Sequence, residues 1–207
     1  MKQKNTKSNK IKIGVVGEHP SNDSESLCHL LRPLACENVQ FKVILTKLRG
    51  SQLDNERMFL SSLESEFLSE ELHHVIFIRD LDGVFSEKEK VTIRDNWSKR
   101  ADKTINRQGI FFLAIAEMEA LILSDIDKVN ELYKLKLKAI NNPMTEKDPK
   151  KKLMQLTEKT KRGKYTESDA PVIFKELVFQ TVYKNHKGER SFQVFADELK
   201  DKQIIAF

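Results

Sequence analysis

Between residues 11 and 116 the chain repeats one alternation, a short apolar run followed by a segment with helical apolar spacing. The runs are 11–17 (IKIGVVG), 39–45, 75–78 and 110–116 (IFFLAIA). Between them, Leu27, Leu30, Leu31 and Leu34 follow i, i+3, i+4, i+7 spacing, a second helix is expected within 53–68, and a third over 86–99. Ser24 or Asp23 would cap the first helix and Pro33 would end or bend it. Ser86 with Glu89 three residues on has capping-box spacing. Strands separated by helices return to a parallel neighbour through right-handed crossovers, so the alternation predicts an α/β layer with a mostly parallel four-stranded sheet. IFFLAIA is apolar without interruption, as in a strand buried on both faces.

After residue 117 the β signal fades, and 117–140, 150–160, 169–184 and 191–200 read as helical. Asn141, Asn142, Pro143 and Pro149 mark the clearest boundary. The expected organisation is a flexible basic tail at 1–10, an α/β core at 11–140 and a basic helical extension at 141–207, with no internal repeat. The net charge of +5 hides an uneven distribution: residues 128–164 hold twelve Lys or Arg against four acids, a net +8, leaving the rest at −3. Lys150, Lys151, Lys152, Lys159, Lys161, Arg162 and Lys164 form clusters suited to a phosphate backbone, although most such clusters are merely solvated. Cys28 and Cys36 have no zinc or redox spacing and read as core thiols, and Trp97 as a packing residue. No apolar run approaches the roughly 20 residues of a membrane span, and the N-terminal residues lack a signal-peptide core, so a cytoplasmic location is expected. There is no Gly-x-Gly-x-x-Gly and no Gly-x-x-x-x-Gly-Lys loop, which argues against nucleotide hydrolysis by this chain.

In parallel α/β sheets, ligands bind beyond the carboxyl ends of the strands. Acids stand at three of those ends: Glu18 after the first run, Asp80 and Asp82 after the third, Glu117 and Glu119 after the fourth. Carboxylates around one crevice repel unless a proton or cation neutralises them, and Mg²⁺ takes oxygen ligands. The competing reading of each acid by itself is a helix cap or surface charge.

These residues resemble the TOPRIM domain shared by topoisomerases, bacterial primases and the nucleases of the overcoming-lysogenization-defect group. The likeness rests on Val15-Val16-Gly17-Glu18, on Phe77-Ile78-Arg79-Asp80-Leu81-Asp82 and on the glutamates after the fourth run. More narrowly, 116–125 (AEMEALILSD), Pro149-Lys150-Lys151, Lys164-Tyr165, and Ser191 with Phe192 and Phe195 are similar to small stand-alone TOPRIM-like proteins encoded beside ABC-type ATPases in bacterial defence loci. The chain departs from the usual Glu-Gly-x-(Thr/Asp)-Glu order, running Gly17-Glu18-His19-Pro20, with the next plausible acid for that pattern at Glu25 in the following helix.

The resemblance implies a Rossmann-like TOPRIM core and a Mg²⁺- or Mn²⁺-dependent nuclease, acting on DNA or RNA as the effector of an anti-phage defence system. An ABC-type ATPase would be its partner, and a homo-oligomer is compatible with it. Asp80 and Asp82 would be the principal metal ligands and Glu18 a ligand or base; Glu119 is favoured over Glu117 from the Glu-Ala match. His19 would assist proton transfer, or is simply a loop residue before proline. Two alternatives stay open. Asp80-Leu81-Asp82-Gly83-Val84 also looks like the nucleophile loop of haloacid-dehalogenase-type phosphatases, in which Asp80 would attack phosphorus. The chain would otherwise be a non-catalytic interaction subunit docking through its helical C-terminus.

Overall fold

The computed structural model describes residues 10–81, 86–115 and 117–207. Four strands, β1 (Ile11–Val16), β2 (Val39–Val43), β3 (His74–Asp80) and β4 (Gly109–Ala114), form one all-parallel sheet in the order β2-β1-β3-β4. The register runs Ile13 opposite Phe41, Val15 opposite Ile76, and Ile78 opposite Phe112. The chain is thus a mixed α/β protein, as the alternation predicts.

Among the described residues nine α-helices cover the sheet, and the strand period of two sorts its side chains between them. On one face Val75 and Phe77 meet α2 (Glu56–Ser69) and α3 (Lys88–Thr104) through Phe59, Leu63 and Trp97. On the other, Ile13, Val15, Ile76, Ile78 and Phe112 share a core with α1 (Glu25–Leu31) and the C-terminal helices. Those helices are α4 (Glu119–Leu123), α5 (Ile126–Tyr133), α6 (Pro149–Thr157), α7 (Ala170–Glu176), α8 (Phe179–Asn185) and α9 (Phe192–Asp201). Leu153, Phe174, Phe192 and Leu199 belong to that core, so the boundary near residue 140 divides the chain without dividing its interior. No helix among the described residues is long and apolar enough to cross a membrane.

Several local expectations are displaced. The helix expected over 117–140 is two short ones, because Asp125 turns the chain: it caps α5 at the Lys128 N–H and accepts the Val178 N–H at 2.8 Å. Lys134, in the left-handed region at φ 56°, ends α5, and the next residues run without helix. The Ser86–Glu89 capping box does not form, since α3 starts at Lys88 with Glu87 at its N-cap position. Neither Ser24 nor Asp23 caps α1; Asp23 instead accepts the His19 N–H at 2.8 Å and closes the loop after β1. That loop folds back so tightly that a Cβ on Gly17 would lie 2.7 Å from the Asp23 Cβ, which is why only glycine fits there. At the outer strand β4, Arg190 ahead of α9 forks onto Asp95 of α3 at 2.5 and 2.8 Å, tying the two helical layers together.

Candidate active site

The strand order reverses between β1 and β3, because β2 lies on one side of β1 and the chain then crosses to the other. This is the switch point at which parallel α/β sheets open a crevice. Glu18 stands two residues beyond β1, Asp80 is the last residue of β3, and Glu119 opens α4 after β4. All three line one polar cavity of about 110 Å³, together with His19, Asp23, Lys150, Tyr165 and Glu167. The sequence reading therefore brings three of its acids to one place. Asp82 lies outside the described residues.

Glu119 is buried at 6% exposure and accepts the Tyr165 hydroxyl at 3.0 Å. Burial pushes its carboxyl up to about 7; Lys150 opposes the rise, Glu117 adds to it, and the Tyr165 hydroxyl works against it. Burial likewise lifts the Asp23 carboxyl to about 6 against the pull of His19, with Glu18 adding to the rise. Burial also holds the Tyr165 phenol above its ordinary value, reinforced by the charge of Glu119. Although partial burial works against it, the Lys150 ammonium is held above its ordinary value by Glu167, Glu119 and Glu117. Its Nζ lies 2.8 Å from Glu167 and 3.4 Å from Glu117. Lys150 is therefore a group of the cleft wall rather than of an outlying arm.

Glu117, the rival of Glu119, points elsewhere. Its Oε2 accepts the Lys150 backbone N–H at 2.9 Å, one of the unpaired donors at the start of α6, where an anion is favoured. Glu18 is held from the other face of the sheet. Its Oε1 lies 2.9 Å from Arg79 Nε and 3.7 Å from Arg94. The closer approach is off the N–H axis, so the attraction is coulombic rather than an aligned hydrogen bond. Asp54 completes the network at 2.9 Å from Arg79 and 3.2 Å from Arg94. A guanidinium at 4% exposure survives burial only with such partners, and the Arg79 head also rests on Trp97, 4.9 Å from the ring centre.

Of the basic residues, Lys151, Lys159, Lys161, Arg162 and Lys164 are exposed and Lys152 is half-buried, 3.8 Å from Glu146. Arg162 lies over the Tyr133 ring at 5.2 Å, and Lys164 directly precedes the buried Tyr165. The cationic surface thus runs up to the cleft. Among the described residues, no group of three His, Cys, Asp or Glu side chains is arranged to hold a metal ion.

Sequence reasoning missed Asp23, Glu167 and the Asp54–Arg79–Arg94 network as parts of the site. Arg79 carried a signal: a cation inside an otherwise apolar strand must find a buried anion. No protein-family model, curated protein or solved structure matches the chain.

Proposed function

We propose that the chain is a Mg²⁺- or Mn²⁺-dependent nuclease of TOPRIM type that hydrolyses phosphodiester bonds of DNA or RNA. The observation that carries this reading is the convergence of Glu18, Asp80 and Glu119 on one polar cleft at the switch point, beside a lysine-rich surface. The donor chemistry fits a hard divalent cation, which is commonly held by one or two carboxylates with water and phosphate completing the shell. Asp80 and Glu119 would hold it, while Glu18 is engaged by Arg79. When bound, such a cation neutralises charge at the scissile phosphate and activates the attacking water.

The chain's own groups do the rest. Lys150 offers an ammonium in the cavity wall for a phosphate oxygen, and His19 lines the same cavity. Lys159, Lys161, Arg162 and Lys164 attract the flanking backbone, an interaction that weakens with salt. With no Gly-rich phosphate loop in the chain, ATP control would reside in a partner, and an ABC-type ATPase of a defence system is the proposed one.

The test is cleavage of plasmid DNA, single-stranded DNA and transfer RNA with Mg²⁺ or Mn²⁺, with and without the ATPase. Asp80→Ala and Glu119→Ala are expected to lower the rate by at least roughly 100-fold. Undiminished cleavage by folded Asp80→Ala protein refutes the site.

A further inference from the structure

A second cavity, of about 640 Å³, opens at the outer edge of the sheet between α3 and α9, with β4 as its floor. This lies within the roughly 300–1,000 Å³ range of small-molecule sites. Its wall is aromatic, built from Phe77, Trp97, Phe111, Phe112 and Phe195. One charged side chain of the wall is buried, Arg79 at 4% exposure; Arg94, Asp95, Asp102 and Arg190 are half-buried, and Lys99, Glu189 and Glu198 are exposed.

Arg79 has one more feature. Its Nε and Nη2 face Glu18 and Asp54, but its buried Nη1 has no hydrogen-bond partner among the described residues. A buried guanidinium donor left unmatched is costly, and an acceptor delivered by a ligand relieves that cost.

We propose that this cavity binds a small aromatic anion of nucleotide size, and that its occupant is felt in the acidic cleft through Arg79 and Arg94. Planar rings match the aromatic wall, and the anionic group meets the arginines at the deep end. Both arginines also hold Glu18, at 2.9 and 3.7 Å, so an anion that draws on their charge loosens Glu18. The binding stands independently of the nuclease reading; the coupling to cleavage rests on it.

Trp97 is the only tryptophan of the chain and lines the cavity, so its fluorescence reports occupancy without any activity assay. The full chain is titrated with adenosine monophosphate, adenosine and inorganic phosphate, by Trp97 fluorescence and by calorimetry. Saturable binding of adenosine monophosphate is expected, with adenosine and phosphate each at least about tenfold weaker. Val194→Phe, at an exposed position of α9 in the cavity wall, should weaken that binding by a similar factor and leave circular dichroism unchanged. No response to any of the three probes at millimolar concentration overturns the site, as does undiminished binding by Val194→Phe. Phosphate binding as tightly as the nucleotide overturns the aromatic recognition. Adenosine monophosphate should also change the cleavage rate of the wild type and not of Val194→Phe. Binding without that change overturns the coupling, and a chain that cleaves nothing sinks the nuclease reading while the binding result stands.

Discussion

Acidification should withdraw a stabilising contribution that the protein draws from the buried His186. Its ring is 1% exposed, its Nδ1 accepts the Phe192 N–H at 2.9 Å, and Phe112 stands edge-on at 6.3 Å. Burial pushes its pKa down to about 4 from 6.5. In the unfolded chain the imidazole takes a proton below about 6.5, whereas in the folded chain burial disfavours the charged ring until about 4. The contribution to stability is therefore complete above about pH 6.5 and is lost as pH falls toward 4. Between pH 7.5 and pH 5 the two-site linkage relation gives a loss of about 2 kcal/mol. Asp23 and Glu119, whose carboxyls are raised, oppose this by favouring the folded state as they take up protons, so the wild-type curve alone mixes signs. The measurement is urea unfolding at both pH values for wild type and His186→Asn. Wild type should lose about 2 kcal/mol more than the variant. Parallel losses, within about 0.5 kcal/mol, would refute the argument that the buried ring stays neutral.

Two further perturbations address the cleft. Tyr165→Phe removes the hydroxyl that the buried Glu119 carboxyl accepts, and should cost about 1–3 kcal/mol in chemical unfolding. The Glu119 pKa should rise further in that variant, since the hydroxyl holds it down; an unshifted titration of the Glu119 carboxyl by NMR would contradict the contact. Gly17→Ala puts a methyl 2.7 Å from the Asp23 Cβ and 3.2 Å from the Ser24 N, so the loop must open. A destabilisation of about 1–3 kcal/mol is expected, and thermal unfolding at the wild-type temperature would refute it.

The sheet was legible because its strands are apolar enough to be read one by one, and parallel pairing follows from the helices between them. The breaks in the C-terminal helices were not, because they depend on distant partners: Asp125 turns the chain in part for the Val178 N–H, 53 residues away. Glu18, Asp80 and Glu119 could be found as acids at strand ends, a local property. What separates Glu119 from Glu117 is not local. The first meets Tyr165, 46 residues on, and the second meets the opening turn of α6, 33 residues on. Lys150 reads in sequence as one of three consecutive lysines, and only packing turns it into the cleft while Lys151 stays in solvent.

The Arg190–Asp95 fork has a consequence for the molecule in a crowded solution. An outermost strand presents a row of backbone donors and acceptors that another chain can copy, the usual seed of edge-to-edge association. Here a charged bridge spans the layers flanking β4, and Lys99 and Glu189 stand exposed beside it. This border of the sheet is thereby guarded by ionic side chains, so colloidal behaviour at high concentration depends in part on the Arg190–Asp95 pair.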